Sequence, residues 1–427
     1  MKNVLFISYF FPPLGGPGVQ RSVKFCKYLP EFGWHPIILT VKDIAYIARD
    51  DSLTTEVKNV DLDRTDSLDM MRLLYLFEKL KDTNQEQGIY TKTSQHRKQF
   101  FRDIFPIDSK IGWIPFAYRE GKKICKTQNI DVIYSTVGPF SSAILGYRLS
   151  KKFGIPFVVD YRDLFVGKPD ESYLTSWHER YAYKWEKKIL SRASAVIMNT
   201  ERAKKRICEL YPLINDTKFS VLYNGFDAED YSQNFATSKN KIIFTYTGGF
   251  YGERSPAFLI KALEELKESR ILPENVLFRF FGNISDSIRE EFEHSKIKDH
   301  IQLTSQVSHK DSIKELLESD FLLLFIAKYK GELVIPAKLF EYLAARKPIL
   351  AIIPSQGEAA HIINRNNAGI VCESDDIEKI KEAVVELVRE RELGIITSRF
   401  PLAANDYSVF ERRTLTGKLA ETLNMLL

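Results

Sequence analysis

Short, mostly apolar runs recur along the chain, each followed by a stretch in which apolar positions return every three or four residues. In the first half the runs fall at 4–8, 36–40, 131–136, 156–159 and 194–199; in the second at 242–246, 276–281, 301–307, 321–327 and 349–353. Few charges interrupt them, as expected of strands buried on both faces. Helical spacing fills 19–28, 141–153, 173–190 and 256–269, a stretch between 335 and 348, and the residues after 377. Strands alternating with helices are βα units, and such units assemble into parallel sheets covered by helices.

The alternation stops once. After the turn signal Asn224-Gly225 a polar run covers 232–240, and a strand then begins afresh at 242. A chain of 427 residues also exceeds what one core usually serves. The expectation is two Rossmann-like α/β domains facing across a cleft, at 1–228 and 229–405. A helix at 410–426, within the tail 406–427, crosses back to the first domain.

Composition narrows the class. Hydrophobic residues are 44% and charged ones 27%, a globular balance. No apolar run reaches membrane-spanning length, and the N-terminus enters a strand without a leader, so the expected location is cytoplasmic. Cys26, Cys125, Cys208 and Cys372 lack paired or metal-like spacing and read as reduced structural thiols. The net charge of +5 is uneven: residues 1–225 hold 35 Lys+Arg against 25 Asp+Glu, the remainder 26 against 31. Between 92 and 123, basic residues alternate with Phe100, Phe101, Phe105, Trp113, Ile114 and Phe116. That alternation suits either peripheral contact with an anionic membrane or a packed helical pair with a solvated basic side. No nucleic-acid module accompanies it, and nucleic acid is not an expected partner.

Candidate chemistry concentrates at strand ends, where open parallel sheets bind ligands. Between the runs 321–327 and 349–353 lies Pro336-Ala337-Lys338-Leu339-Phe340-Glu341-Tyr342, a helix start with Pro336 in its first turn. Lys338 and Glu341 project from one face, beside N–H groups that favour an anion such as a diphosphate. By itself Lys-x-x-Glu is most often a surface ion pair. The loop 9–18 carries Gly15, Gly16 and Gly18 between a strand and a helix, with neither dinucleotide nor P-loop spacing. Asp160, Arg162 and Asp163 close the run 156–159. Asp61-x-Asp63 lies in an acidic stretch and reads as a solvated loop, and no cluster has metal-ligand spacing.

The string Pro-x-Lys-x-Phe-Glu-Tyr-Leu-Ala, followed by Lys-Pro-Ile-Leu, resembles the nucleotide-sugar motif of bacterial retaining glycosyltransferases of family four, which have the GT-B fold. The segments 131–163 and 221–227 resemble the same family. Glu341 matches the second glutamate of its Glu-x7-Glu motif, which binds the donor ribose; the first would fall at Leu333, with Glu332 one position early. Arg254 matches a diphosphate-binding arginine, its lysine companion is replaced by Leu259, and Lys338 is the other cation. Arg162 stands where many relatives carry a histidine. The resemblance implies donor binding by Gly15, Gly16, Gly249, Arg254, Val307, Lys338, Leu339 and Glu341, and chemistry at Asp160, Arg162 and Asp163.

The implied activity is transfer of a sugar from a nucleotide diphosphate sugar, a UDP-sugar favoured, to a glycan or lipid-linked acceptor. Neither metal nor other cofactor is expected, and membrane contact would be peripheral, on the cytoplasmic face. Two readings compete: a sugar-nucleotide 2-epimerase on the same fold, and a non-catalytic nucleotide-sugar-binding scaffold. Turnover of donor excludes the scaffold.

Overall fold

The computed structural model describes residues 1–45, 49–80, 105, 107–168, 171–233, 235, 237–238, 240–250, 254–328, 333 and 335–427. The chain forms two compact units, 1–224 with 412–427, and 225–411. The division lies a few residues from the 228 and 405 read from the polar run, because the Phe226 N–H already donates to the Phe410 carbonyl within the second unit (3.2 Å).

In the first unit, β1 (Lys2–Ile7), β2 (Trp34–Val41), β3 (Asp61–Thr65), β4 (Val132–Val137), β5 (Phe157–Tyr161), β6 (Ala195–Met198) and β7 (Phe219–Val221) make one sheet. Their order is β3-β2-β1-β4-β5-β6-β7, and every pairing is parallel, with Val4 opposite Val132 and Val159 opposite Val196. The second unit holds β8 (Ile242–Thr247), β9 (Val276–Phe281), β10 (Ile301–Thr304), β11 (Phe321–Phe325), β12 (Ile349–Ile352) and β13 (Gly369–Cys372), ordered β10-β9-β8-β11-β12-β13 and again parallel. The runs that predicted these strands are buried because crossover helices cover both faces. In each sheet the strand order reverses once, between β1 and β4 and between β8 and β11. Loops leaving the carboxyl ends of those strands diverge and open a crevice.

Two expectations change and one open alternative is decided in part. Asp61-x-Asp63 is an edge strand, not a loop: its backbone pairs with Ile37 and Leu39 of β2, and the edge position leaves Asp61 exposed and Asp63 half-buried, with desolvation raising the Asp63 carboxyl. Of the two readings of 92–123, packing holds for Trp113 and Ile114, which are buried; Trp113 is fully enclosed and its Nε1 donates to Thr65 Oγ1 (2.8 Å). Residues 92–104 of that stretch lie outside the described residues. The predicted strand 301–307 ends at Thr304, because Ser308 caps the helix His309–Leu317 by accepting from Asp311 N, which leaves Val307 in a loop.

The helix Arg412–Asn424 belongs to the first unit. It buries Leu415, Leu419 and Leu423, and Arg413 Nε bonds Glu31 (2.7 Å) while Lys2 Nζ donates to Asn424 Oδ1 (2.9 Å). The core of the same unit encloses an ion pair. Arg21, on the helix Pro17–Tyr28, donates from Nε and Nη2 to the two oxygens of Asp160 on β5 (3.0 and 2.8 Å). Tyr134 Oη (2.6 Å) and Thr136 Oγ1 (3.3 Å) donate to the same carboxylate, and Arg21 Nη1 reaches the Tyr223 carbonyl (2.7 Å).

Asp160 is wholly buried. Arg21→Met therefore strands a carboxylate without its counter-charge, which costs about 3–5 kcal/mol when one partner of a buried pair is removed. The expected result is a lower denaturant midpoint at unchanged slope; a shift equivalent to under about 1 kcal/mol would show that the pair is dispensable.

Candidate functional site

The helix Ala337–Ala345 follows β11, and Pro336 is its N-cap residue (φ −61°, ψ 136°), one position ahead of the expected first turn. No side chain caps this helix start, so its first N–H groups remain directed at the crevice beside β8 and β11. Leu339, Phe340 and Leu343 bury one face, Phe340 packs on Phe410 (5.2 Å between rings), and Tyr342 Oη accepts from Thr247 N at the end of β8 (3.3 Å). These contacts fix the helix, and Lys338 and Glu341 lie half-buried on its other side.

The Lys338 ammonium sits 4.7 Å from the centre of the Tyr246 ring and directly over Gly248. A Cβ on residue 248 would fall 1.4 Å from Lys338 Nζ, and the backbone there has φ +150°, so glycine is required twice over. Gly282, after β9, backs the same loop: a Cβ on it would come within 2.5 Å of the Gly248 backbone. Burial and the neighbouring Arg254 charge push the Lys338 ammonium down to about 8, and Glu341 partly offsets them. Neither Lys338 nor Glu341 has an ion-pair partner among the described residues, so the pair is not a surface salt bridge. A desolvated cation, an uncapped helix N-terminus and a nearby carboxylate together match an incoming anion whose other end offers hydroxyl donors.

The remaining predicted donor residues divide. Gly249 follows Gly248, and its carbonyl accepts from Tyr246 Oη (3.2 Å). Arg254 is half-buried and near enough to Lys338 to act on its charge; residues 251–253 are outside the described residues. Val307 lies half-buried in the loop before the helix His309–Leu317. Leu339 does not face the site: its side chain is in the core and its N–H donates to the Pro336 carbonyl (3.0 Å). Tyr246 and Tyr342 were not singled out in the sequence, where each is one more aromatic in an apolar run.

In the first unit, the loops after β1, β4 and β5 meet at the other reversal of strand order. Gly15 is buried and Gly16, with φ +102°, opens the helix Pro17–Tyr28, its carbonyl accepting from Val19 N and Gln20 N (3.0 Å each). Arg162 reaches across the three loops. Its Nε donates to the Val137 carbonyl (2.9 Å) and its Nη2 to the Gly138 carbonyl, and Nη1 lies 1.4 Å from where a Cβ on Gly18 would stand. It pairs with neither Asp160 nor Asp163 among the described residues. Asp160 is enclosed by Arg21, Tyr134 and Thr136, with no surface for a substrate, and Asp163 is exposed. Arg21, which the sequence reading passes over, is thus the group that occupies Asp160. Among the described residues no three His, Cys, Asp or Glu side chains converge as metal ligands.

Residues 75–230 match the family described as Glycosyltransferase Family 4, and residues 227–395 the family described as Glycosyl transferases group 1. The UDP-Gal:alpha-D-GlcNAc-diphosphoundecaprenol alpha-1,3-galactosyltransferase of Escherichia coli is 20% identical over 290 residues, 64% of this chain and 70% of that protein. Among solved structures, a glycosyltransferase from Rickettsia africae superposes with a TM-score of 0.68 at 16% identity, over 100% of this chain and 98% of its own. Anabaena HepE, in complex with UDP and glucose, gives 0.61 at 15% identity, over 99% and 100% of the two chains. The two parallel-sheet units are those of the GT-B fold. Residues 75–395 fall inside the two matched domains without a gap, and the chain belongs to the glycosyltransferases that join a family 4 domain to a group 1 domain.

Proposed function

We propose that the protein transfers a sugar, with retention of configuration, from a UDP-sugar to a glycan or lipid-linked acceptor. The observation that carries the donor half is the Lys338 ammonium, set over Gly248 at the strand-order reversal without an anionic partner among the described residues, with Glu341 one turn on. The diphosphate is bound by Lys338, Arg254 and the N-terminus of the helix Ala337–Ala345, and the ribose hydroxyls donate to Glu341. As the sugar leaves, negative charge gathers on the diphosphate, and these fixed positive groups stabilise it without a metal ion. Gly249 and Val307 line the donor, and Gly15, Gly16 and Arg162 offer N–H and guanidinium donors of their own at the strand-order reversal of the first unit. Asp160 acts through Arg21 to position the loops and does not touch substrate; Asp163 is open to solvent. The UDP-sugar and the lipid-linked acceptor follow the Escherichia coli relative, whose name carries both.

Three outcomes test this reading. Hydrogen bonds to a charged group are worth about 1.5–3 kcal/mol, so Glu341→Gln should weaken UDP-sugar binding about ten- to a hundredfold in calorimetry, with the ligand-free melting temperature unchanged. Wild-type affinity combined with earlier melting would make Glu341 structural.

Lys338→Met should weaken UDP more than uridine, since its partner is phosphate. The lysine also sets a pH dependence. Its ordinary value of 10.5 drops to about 8 in the folded chain, so between those values the unfolded chain holds the extra proton and stability rises with pH. Ligand-free melting temperature should therefore climb from about pH 8 upward in the wild type and less so in Lys338→Met, while UDP affinity falls over the same range. Identical pH profiles for the two proteins would remove Lys338 from the site.

Transfer should persist in EDTA. A loss reversed by Mg²⁺ or Mn²⁺ would show that the cations named here do not suffice.

A further inference from the structure

Basic side chains buried in the first unit keep carboxylates beside them: Arg21 has Asp160, Lys24 has Glu56, Arg72 has Asp66 and Lys110 has Asp69. Arg162 departs from this pattern. It is half-buried, and its Nε and Nη2 bond the carbonyls of Val137 and Gly138, yet it forms no ion pair among the described residues. Carbonyl oxygens satisfy N–H groups and orient a guanidinium, but they bring no net negative charge. Desolvation lowers the Arg162 pKa from its ordinary value, and Asp163 and Asp160 oppose it only at a distance. None of the described residues accepts from Nη1.

The two helix starts beside Arg162 are furnished differently. At the helix Ser141–Phe153, Asp108 accepts from Ser141 N (2.7 Å) and Ser141 Oγ (2.6 Å), so an internal carboxylate already occupies the positive end of that dipole. The helix Pro17–Tyr28 begins at Gly16 with no side-chain cap and no acidic residue in its first turn. Arg162 is laid against this second start: Nη1 fills the place of a Cβ on Gly18, and Nη2 lies 2.5 Å from where one on Gly138 would stand. A cation held against the positive end of a dipole is unfavourable until an anion joins them. The N–H edge of arginine matches the oxygens of a phosphate or a carboxylate.

We propose that Arg162 and the start of the helix Pro17–Tyr28 form an oxyanion site, which selects an acceptor by a phosphate or carboxylate that it carries. This rests on the donor reading for the second unit, which leaves the first unit to the acceptor. Arg162 is then the specificity-determining group, and the bare backbone at Gly18 and Gly138 gives it its position.

The test is calorimetric titration of the full chain, saturated with UDP, with glucose 1-phosphate, glucuronate or glucose. Glucose 1-phosphate should bind if the oxyanion is a phosphate and glucuronate if it is a carboxylate, in either case at least about tenfold more tightly than glucose. Arg162→Met should weaken that binding about ten- to a hundredfold. Gly18→Ala should do the same with every charge retained, because the new Cβ displaces Nη1. Gly18 lacks the positive φ that demands glycine, and alanine favours the helix, so the melting temperature of this variant should not fall. Arg148→Gln, which removes an exposed cation from the helix Ser141–Phe153, should bind as the wild type does. Lys338→Met, titrated without UDP, should keep the anion affinity of the UDP-saturated wild type. Failure of UDP to bind the wild type would remove the donor reading and leave the Arg162 titration still to be read. No preference for either anion over glucose, undiminished binding in Arg162→Met or Gly18→Ala, or loss of binding in Lys338→Met overturns the proposal. So does tighter binding of UDP-glucuronate than of UDP-glucose that Arg162→Met abolishes, since the oxyanion would then belong to the donor sugar.

Discussion

A parallel sheet whose strand order reverses once has one place where neighbouring loops leave in opposite directions, and both units of this chain place their polar groups there. At the end of β8 a Cβ on residue 248 would fall 1.4 Å from Lys338 Nζ, so the backbone there has room for the ammonium only while it carries no side chain. Lys338 takes that room because residues 248 and 282 have none to offer. A side chain at either glycine would meet the lysine or the backbone of the adjoining loop, and the ammonium would be displaced from the helix N-terminus it reinforces. The charge, the helix start and the bare backbone are therefore one device, and Tyr342 and Phe340 hold it in register with the sheet.

The first unit solves a similar geometric problem with a different group. Arg162 spans loops from β1, β4 and β5, and it can lie flat because residues 18 and 138 lack side chains. Behind it, Arg21 and Asp160 neutralise each other in the core. A carboxylate so enclosed anchors the loops but has no face left for chemistry. Its neighbour in sequence, Asp163, has the face but not the enclosure. Strand-end position alone does not separate these two fates.

That distinction marks where reading from the chain stops. Strand runs such as 321–327 and 349–353 were legible because burial on both faces leaves an unbroken apolar signal that neither turn chemistry nor charge confuses. Lys338 and Glu341 were legible because helix spacing places them on one face at a strand end. That Leu339 turns its side chain into the core was not legible, because adjacency in a motif says nothing of which way a helical side chain turns. Asp61 and Asp63 were misjudged because an edge strand is specified by the partner beside it, and the pairing with β2 outweighs their poor strand preference. Trp113 reads as amphipathic in isolation, yet Thr65, far away in sequence, supplies the acceptor that lets its indole be enclosed. Arg21 shows no signal at all in one dimension, since only the fold brings a helix arginine to a carboxylate on β5.

The helix Arg412–Asn424, made after the whole of the second unit, completes the first. During synthesis the surface that receives Leu415, Leu419 and Leu423 must wait, solvated, while residues 225–411 emerge and fold. The early-made unit is thus the later one to finish, and the intervening unit becomes an insertion within its partner's sequence. Proteolysis near 411 would strip a packed helix from a body whose other residues end at 224, so the two halves are not interchangeable modules joined by a single hinge of chain.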